Sequence, residues 1–218
     1  MLRRLLWNLC FPIVVIGLPV VFLLVRSGVA TIPVATQIFY ATPTPHHVVT
    51  GGPSLQELFT SQITDLINAR VTSAGISDRA FTLTIPESAF TTTLTQYVQE
   101  NAATVFVADK SQAAVIDGQG LEVFLPLQLN RERTAVRATI TTALDHGLFA
   151  PKISSTTVGQ LGVPSFIVRW ILESALGKTT VALNEAVGKY ATFDAVEFTN
   201  GNVVLHGQLT VEVKTFSQ

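Results

Sequence analysis

From Leu5 to Val25 every residue except Asn8 is apolar, glycine or proline. About 20 such residues, at about 1.5 Å each, match the roughly 30 Å hydrocarbon core of a bilayer. This run predicts a membrane span and divides the chain into an anchor, residues 1–26, and everything that follows. Arg3, Arg4 and the terminal amine precede the run and Arg26 follows it, so the positive-inside bias places the N-terminus in the cytoplasm and the remainder outside the cell membrane. A single-pass, extracytoplasmic arrangement is the expectation. Pro12 and Pro19 predict kinks that membrane helices tolerate. A cleaved signal peptide is the competing reading, with Gly28 and Ala30 as small residues near a cleavage point, but signal-peptide apolar regions are shorter than this one.

Residues 27–53 contain no Asp, Glu, Lys or Arg, and "ATPTPHHVVTGGP" is rich in Pro, Thr and Gly. That composition predicts a linker that stands the next domain off from the bilayer, although "TIPVATQIFYA" is apolar enough to lie along the interface. His46 and His47 lack the third and fourth ligands that a metal site takes, so they read as linker residues. The sole cysteine, Cys10, lies within the span, which leaves the outer domain, residues 54–218, without disulfides and dependent on its core.

Charge narrows the partners of that domain. Setting aside Arg3, Arg4 and Arg26 leaves 11 basic residues against 15 acidic, a balance of −4, and charged residues make up only 13% of the chain. Nucleic-acid backbones call for clustered Lys and Arg, so they are not the expected partner.

Periodicity then gives the elements. Ser54 and Glu57 form an S-x-x-E capping box ahead of Leu55, Leu58, Phe59, Ile63, Leu66 and Ile67, the apolar face of a first helix. "AFTLTI" predicts a strand with Phe81, Leu83 and Ile85 on one side, and Pro86 opens a helix with a stripe of Phe90, Leu94, Tyr97 and Val98. From Thr104 the period becomes two. "TVFVAD" reads as a short strand, and in "LEVFLPLQLN" Leu121, Val123, Leu125, Leu127 and Leu129 share a face. "TAVRATITTAL" follows, with Val136, Ala138, Ile140, Thr142 and Leu144 on one side, then "LFAPKISSTTV" after a Asp-His-Gly turn. Asn200-Gly201 joins a final hairpin. The sum is an α+β domain built on one strongly curved antiparallel meander, with Pro126 and Pro151 at bulges or edges.

Between the meander and the hairpin stands "VGQLGVPSFIVRWILESALGK", in which Phe166, Ile167, Trp170, Ile171, Leu172, Ala175 and Leu176 cover most of a helix opened by Pro164. Arg169 and Glu173 share one side of this helix, whereas Lys178, Glu185 and Lys189 fall on the opposite side, which predicts a break near Gly177 and a second helical piece packed through Leu183, Ala186, Val187 and Tyr190. A helix that is apolar on most sides, next to strands with Leu and Val inner faces, is either enclosed or lines a cavity.

Catalytic motifs are not found. Gly177-Lys178-Thr179 lacks the glycine five residues earlier that a phosphate loop needs, and "DGQG" at Asp117 is a turn without a dinucleotide fingerprint. Asp145-His146 adjoin at a turn, where solvated side chains are the rule, and His206 falls on the outward face of its strand. No cofactor or metal is expected.

The helix "PESAFTTTLTQYV", the strand meander ending in "VGQLGVPSFIVRWIL" and the hairpin "VEFTNGNVVLHGQLTV" together resemble the small membrane-anchored bacterial envelope proteins of the YpmS-like group and the LmeA-like phospholipid-binding proteins. Both are similar to the tubular lipid-binding (TULIP-like) superfamily. The resemblance implies a long helix held in a curved sheet, with an apolar groove between them for acyl chains and with Gly159, Gly162 and Pro164 at the turn into that helix. Candidate groove residues are then Leu125, Leu127, Ile140, Phe166, Ile167, Trp170 and Ile171, with a phospholipid or other acyl lipid as the ligand. The alternative is a non-enzymatic envelope scaffold that binds a protein partner and has no lipid site. A filled core beside Phe166 and Trp170 would favour the scaffold.

Overall fold

The computed structural model describes residues 15–62, 80–128, 134–166, 169, 181, 184 and 191–209. Within these the fold is α+β, with two antiparallel sheets, neither of them closed. Residues 15–26 form helix α1, Pro33–Phe39 α2, residues 55–62 α3 and Glu87–Asn101 α4. The strands are β1 (Ala80–Pro86), β2 (Gln112–Ile116), β3 (Gly120–Pro126), β4 (Ala135–Asp145), β5 (Leu148–Val158), β6 (Leu161–Gly162), β7 (Ala191–Thr199) and β8 (Asn202–Leu209).

The expected single meander is thus two sheets. Strands β2 to β6 do meander in sequence order, but β1 pairs with β8, which also pairs with β7, to make a separate three-stranded sheet. Two hairpin tips of the larger sheet lean on the free edge of β7. Gly118 N–H donates to the Phe198 carbonyl (2.9 Å), and Phe193 N–H donates to the Gly147 carbonyl (2.9 Å). An edge that would otherwise be open to another chain is partly covered in this way.

In the small sheet Phe81, Leu83 and Ile85 point inward as their alternation predicts, opposite Gly207, Leu205 and Val203. Gly207 is required there. A Cβ at that position would stand 2.4 Å from the Thr192 carbonyl oxygen and 2.8 Å from the Phe81 ring. Asn200 and Gly201 both take positive φ, 50° and 70°, the conformation of a tight hairpin turn.

The helix α4 answers a backbone problem. Strand β2 is an edge strand, and every second residue along it turns unpaired backbone groups toward α4. Glu87 Oε2 accepts from Val115 N–H (2.8 Å), Thr91 Oγ1 bonds both the N–H and the carbonyl of Ala113 (3.0 and 2.9 Å), and Thr95 Oγ1 donates to the Ser111 carbonyl (3.1 Å). Four helical residues rise about 6 Å and two strand residues about 6.7 Å, so the i, i+4, i+8 spacing of Glu87, Thr91 and Thr95 matches alternate residues of the strand. The Thr run that narrows the apolar stripe of this helix is therefore the seam to β2. Ala89, Leu94 and Val98 fill the remaining buried face, with Phe90 and Tyr97 packed at its rim.

"TVFVAD" is not a strand. The last turn of α4 runs into it, since Val105 and Phe106 both donate N–H to the Ala102 carbonyl, and a 3-10 turn at Ala108–Lys110 follows at once. Only the single bridge Phe106 to Leu127 fits between them. The stretch that does pair, β2, carries "QAAVI", where small alanines hid the period-two signal.

Residues 40–53 are not a stand-off linker. They lie on the outer face of β2–β4 as a strap. Gln112, itself buried, donates its amide to the His47 carbonyl and accepts Val49 N–H (3.4 Å), copying the backbone of a neighbouring strand. Glu122, also buried, accepts His46 N–H (2.8 Å) and pairs with Arg137, whose Nε is 3.2 Å from Oε2 though off hydrogen-bond alignment, while the other end of that guanidinium donates to the Thr44 carbonyl. His47 Nε2 lies 2.8 Å from Glu87 Oε1. Gly52 N–H and carbonyl both bond Thr92 Oγ1 (2.9 and 2.8 Å). A segment lacking charges of its own is held by charged and amide side chains of the sheet. Its composition gave no sign of that, because the docking groups are in other elements.

The capping box at the start of α3 forms as predicted. Ser54 N–H and hydroxyl both donate to Glu57 Oε2 (2.8 and 3.0 Å), and Glu57 N–H returns to Ser54 Oγ (3.3 Å). Leu55, Leu58 and Phe59 are buried, while Ile63, Leu66 and Ile67 lie outside the described residues.

Of the apolar run, residues 15–25 are helical, and Leu5 to Val14 lie outside the described residues. Among the described residues no helix is long and apolar enough to cross a membrane. The end of α1 seats directly on the domain that follows it. Thr134 Oγ1 donates to the Ser27 carbonyl (3.1 Å), and Gln160 N–H donates to the Arg26 carbonyl (3.2 Å).

Candidate functional site

The groove residues expected from sequence separate into three groups. Leu125, Leu127 and Ile140 are all buried, in one core cluster with Leu121, Val123, Leu83, Leu94 and Val98. A remnant of about 10 Å³ remains beside Leu55, Phe90, Leu94, Leu121 and Val123, too little for an acyl chain. Phe166 is helical and 70% exposed, so it does not share that core. Ile167, Trp170 and Ile171 lie outside the described residues, as do the predicted break at Gly177 and the packing of Leu183, Ala186, Val187 and Tyr190. From the second helical piece, Asn184 is placed: its Oδ1 accepts Phe149 N–H (3.1 Å) and its Nδ2 donates to the Phe149 carbonyl (3.0 Å), closing the open edge of β5.

The space is on the opposite face of the large sheet. A cavity of about 710 Å³, partly open to solvent, runs along the strap, lined by Pro43 to Pro45 and Val48 to Gly51 of the strap and by Thr91, Thr92 and Thr95 of α4. Its floor is Phe124 and Pro126 of β3 with Ala135 of β4. The floor has a physical origin in the pleat: Leu121, Val123 and Leu125 point into the core, so Glu122, Phe124 and Pro126 point the other way. That strand is buried on both faces, which is why its sequence alternates less cleanly than a half-wet strand. A single acid and a single base, Asp109 and Lys110, stand in the lining, and the rest is proline, valine, threonine and other neutral residues. Threonine methyls give an apolar wall whose hydroxyls are turned to backbone partners, as Thr91, Thr92 and Thr95 show. The volume is within the about 300–1,000 Å³ of ligand sites.

Compared with protein-family models, curated proteins and solved structures, the chain has no match.

The polar candidates are dispersed. His146, at φ 51°, and Asp145 are 3.6 Å apart on a hairpin tip, and both are open to solvent. His206 bonds Thr82 Oγ1 (3.2 Å) on the outward face of β8, as its alternation predicts. His47 is engaged with Glu87 and His46 stacks edge-on to it. Among the described residues no three His, Cys, Asp or Glu side chains converge as metal ligands would. Near the seat of α1, burial holds the Tyr40 phenol above its usual range, an effect its bond to Thr134 Oγ1 (3.3 Å) partly offsets.

Two features of this site escaped sequence reasoning, the strap and the floor it covers. The one signal for the floor was Phe124 and Pro126, apolar residues at positions where the alternation calls for polar ones.

Proposed function

We propose that this chain is a membrane-tethered, extracytoplasmic lipid-binding protein that holds an acyl chain in the cavity beneath its strap. The observation that carries the reading is the cavity itself: about 710 Å³, neutral over nearly all of its lining, on a domain whose entry helix is apolar and whose sheet rests on that helix's last turn. Each methylene taken from water into such a space contributes about 0.8 kcal/mol. The resemblance to TULIP-like envelope proteins points to the same ligand class by way of a different groove, between a curved sheet and the long helix that the resemblance implies after Pro164. The strap cavity is the better supported of the two, because Leu125, Leu127 and Ile140, on the sheet side of that groove, are buried in the core cluster. A phospholipid carrying a photoactivatable acyl chain should label peptides from residues 43–51 or 91–96. Labelling confined to the helix after Pro164 would instead support the other groove.

A second reading, a scaffold that binds a protein and no lipid, is favoured by the burial of Leu125 and Ile140 in the core cluster. In that case no peptide of the folded chain is labelled above the level of an unrelated anchored domain.

A further inference from the structure

We infer that α2 and the loop leading into it form an interfacial wedge, lying in the headgroup layer of the outer leaflet and holding the domain flush on the bilayer. The inference rests on the reading of α1 as part of a membrane span.

Three observations fix the depth. The ring of Phe39, the last residue of α2, packs edge-on against that of Phe22 in α1, 5.4 Å between centroids, so α2 folds back alongside the helix it follows. Phe22 is one turn before Arg26, about 6 Å along the axis. Arg26 ends the apolar run, and its guanidinium sits 6.0 Å from the Phe22 ring. With that charge at headgroup level, Phe22 and Phe39 fall about 6 Å deeper, within the about 5–10 Å at which interfacial helices bury their apolar face.

The exposed side chains agree. Val29, Ile32, Ile38 and Phe39 stand open, with Ile38 at 67%. No charged residue between Ser27 and Pro53 opposes burial of the backbone around them. Tyr40, just after α2, is an aromatic residue of the kind found at membrane interfaces, with its ring against Gly28 and its hydroxyl on Thr134.

The domain cannot stand away from this level. Gly159, at φ 59°, packs so closely on the end of α1 that a Cβ there would lie 2.5 Å from the Ser27 carbonyl oxygen, and Val25, Ser27 and Gly28 are buried in the seat. Gly159 N–H also bonds the carbonyl of Ala135, which lines the cavity. The end of the cavity at Pro43, Pro126 and Ala135 is therefore the end next to the bilayer, where a lipid would enter without crossing water.

The test uses the full chain with Cys10→Ser and one cysteine at a time, Val20→Cys in α1, Ile38→Cys in α2 and Asp145→Cys on the β4–β5 hairpin tip, each carrying an environment-sensitive fluorophore. The proteins are reconstituted in vesicles of phosphatidylethanolamine and phosphatidylglycerol, with nitroxide-bearing phospholipid or aqueous iodide as quencher. All three positions are exposed, so the labels leave the fold intact. Ile38→Cys should be quenched by shallow nitroxides and shielded several-fold from iodide relative to Asp145→Cys. If Val20→Cys is quenched by lipid and Ile38→Cys is as open to iodide as Asp145→Cys, the wedge is overturned while the span stands. Shielding of Ile38→Cys from iodide without quenching by lipid means that protein covers α2, which also overturns the wedge. If Val20→Cys itself is open to iodide, the span and the wedge fall together.

Discussion

At the scale of single residues, the structure turns on side chains that satisfy backbone groups. Glu87 accepts Val115 N–H at the edge of β2 and pairs with His47 of the strap. Glu87→Ala leaves that N–H without a partner and should cost about 1–3 kcal/mol, whereas Glu87→Gln retains an acceptor and should cost less. Denaturation midpoints of the two variants check this. Glu57 is different in kind. Ser54 N–H, and then the Ser54 hydroxyl, hold its carboxyl below the ordinary 4.5, so its folded form binds a proton less readily than its unfolded form. Its contribution is present above the unfolded value and is lost as pH falls through the folded one. The stability difference between wild type and Glu57→Gln should therefore be constant above about pH 5 and shrink below it, as denaturation at several pH values will show. The Ser54–Glu57 box was legible in the sequence because both partners are three residues apart. The partners of Glu87 were not, being 28 and 40 residues away.

At the scale of elements, local pattern identified most strands and helices but not where they pair. Alternation gave the inner faces of β1 and β4, and Asn200-Gly201 gave the last hairpin. The small residues of β2 concealed it, and the β-branched run at Thr104 imitated a strand although turns that continue from the end of α4 occupy it. The strap was read as a spacer because Pro and Thr suit an extended, solvated chain as well as a docked one, and the difference lies in Gln112, Glu122 and Arg137. Gln112→Ala removes the amide that holds residues 47 and 49, a loss of about 1–3 kcal/mol. Where cleavage needs the strap to open, proteolysis within residues 43–51 should accelerate about tenfold for each 1.4 kcal/mol lost. The seat of α1 has its own test. Gly159→Ala adds a methyl 2.5 Å from the Ser27 carbonyl oxygen at a φ that costs a non-glycine residue about 1–2 kcal/mol. Melting temperature should fall, and cleavage after Arg26 should become faster, because the seat opens.

At the scale of the whole molecule, the larger sheet carries an apolar set on each of its two faces. The larger sheet turns Leu121, Val123 and Leu125 into the buried core and turns Phe124, Pro126 and Ala135 toward the strap, where about 710 Å³ remains open. The sequence showed both apolar sets but could not show which of them leaves space beside it, since that depends on what lies opposite. Helix α3, α4 and the small sheet close one side, and a strap of small and β-branched residues only roofs the other. Gln96→Trp, at an exposed position on the cavity rim, narrows that space without entering the core and should reduce bound lipid while leaving the melting temperature nearly unchanged. The most direct measurement is native mass spectrometry of the full chain purified from membranes, followed by extraction and weighing of what is released. The account predicts about one acyl lipid per chain, reduced in Gln96→Trp. A wild-type chain that carries no stoichiometric lipid, and takes up none when phospholipid is added, would contradict it.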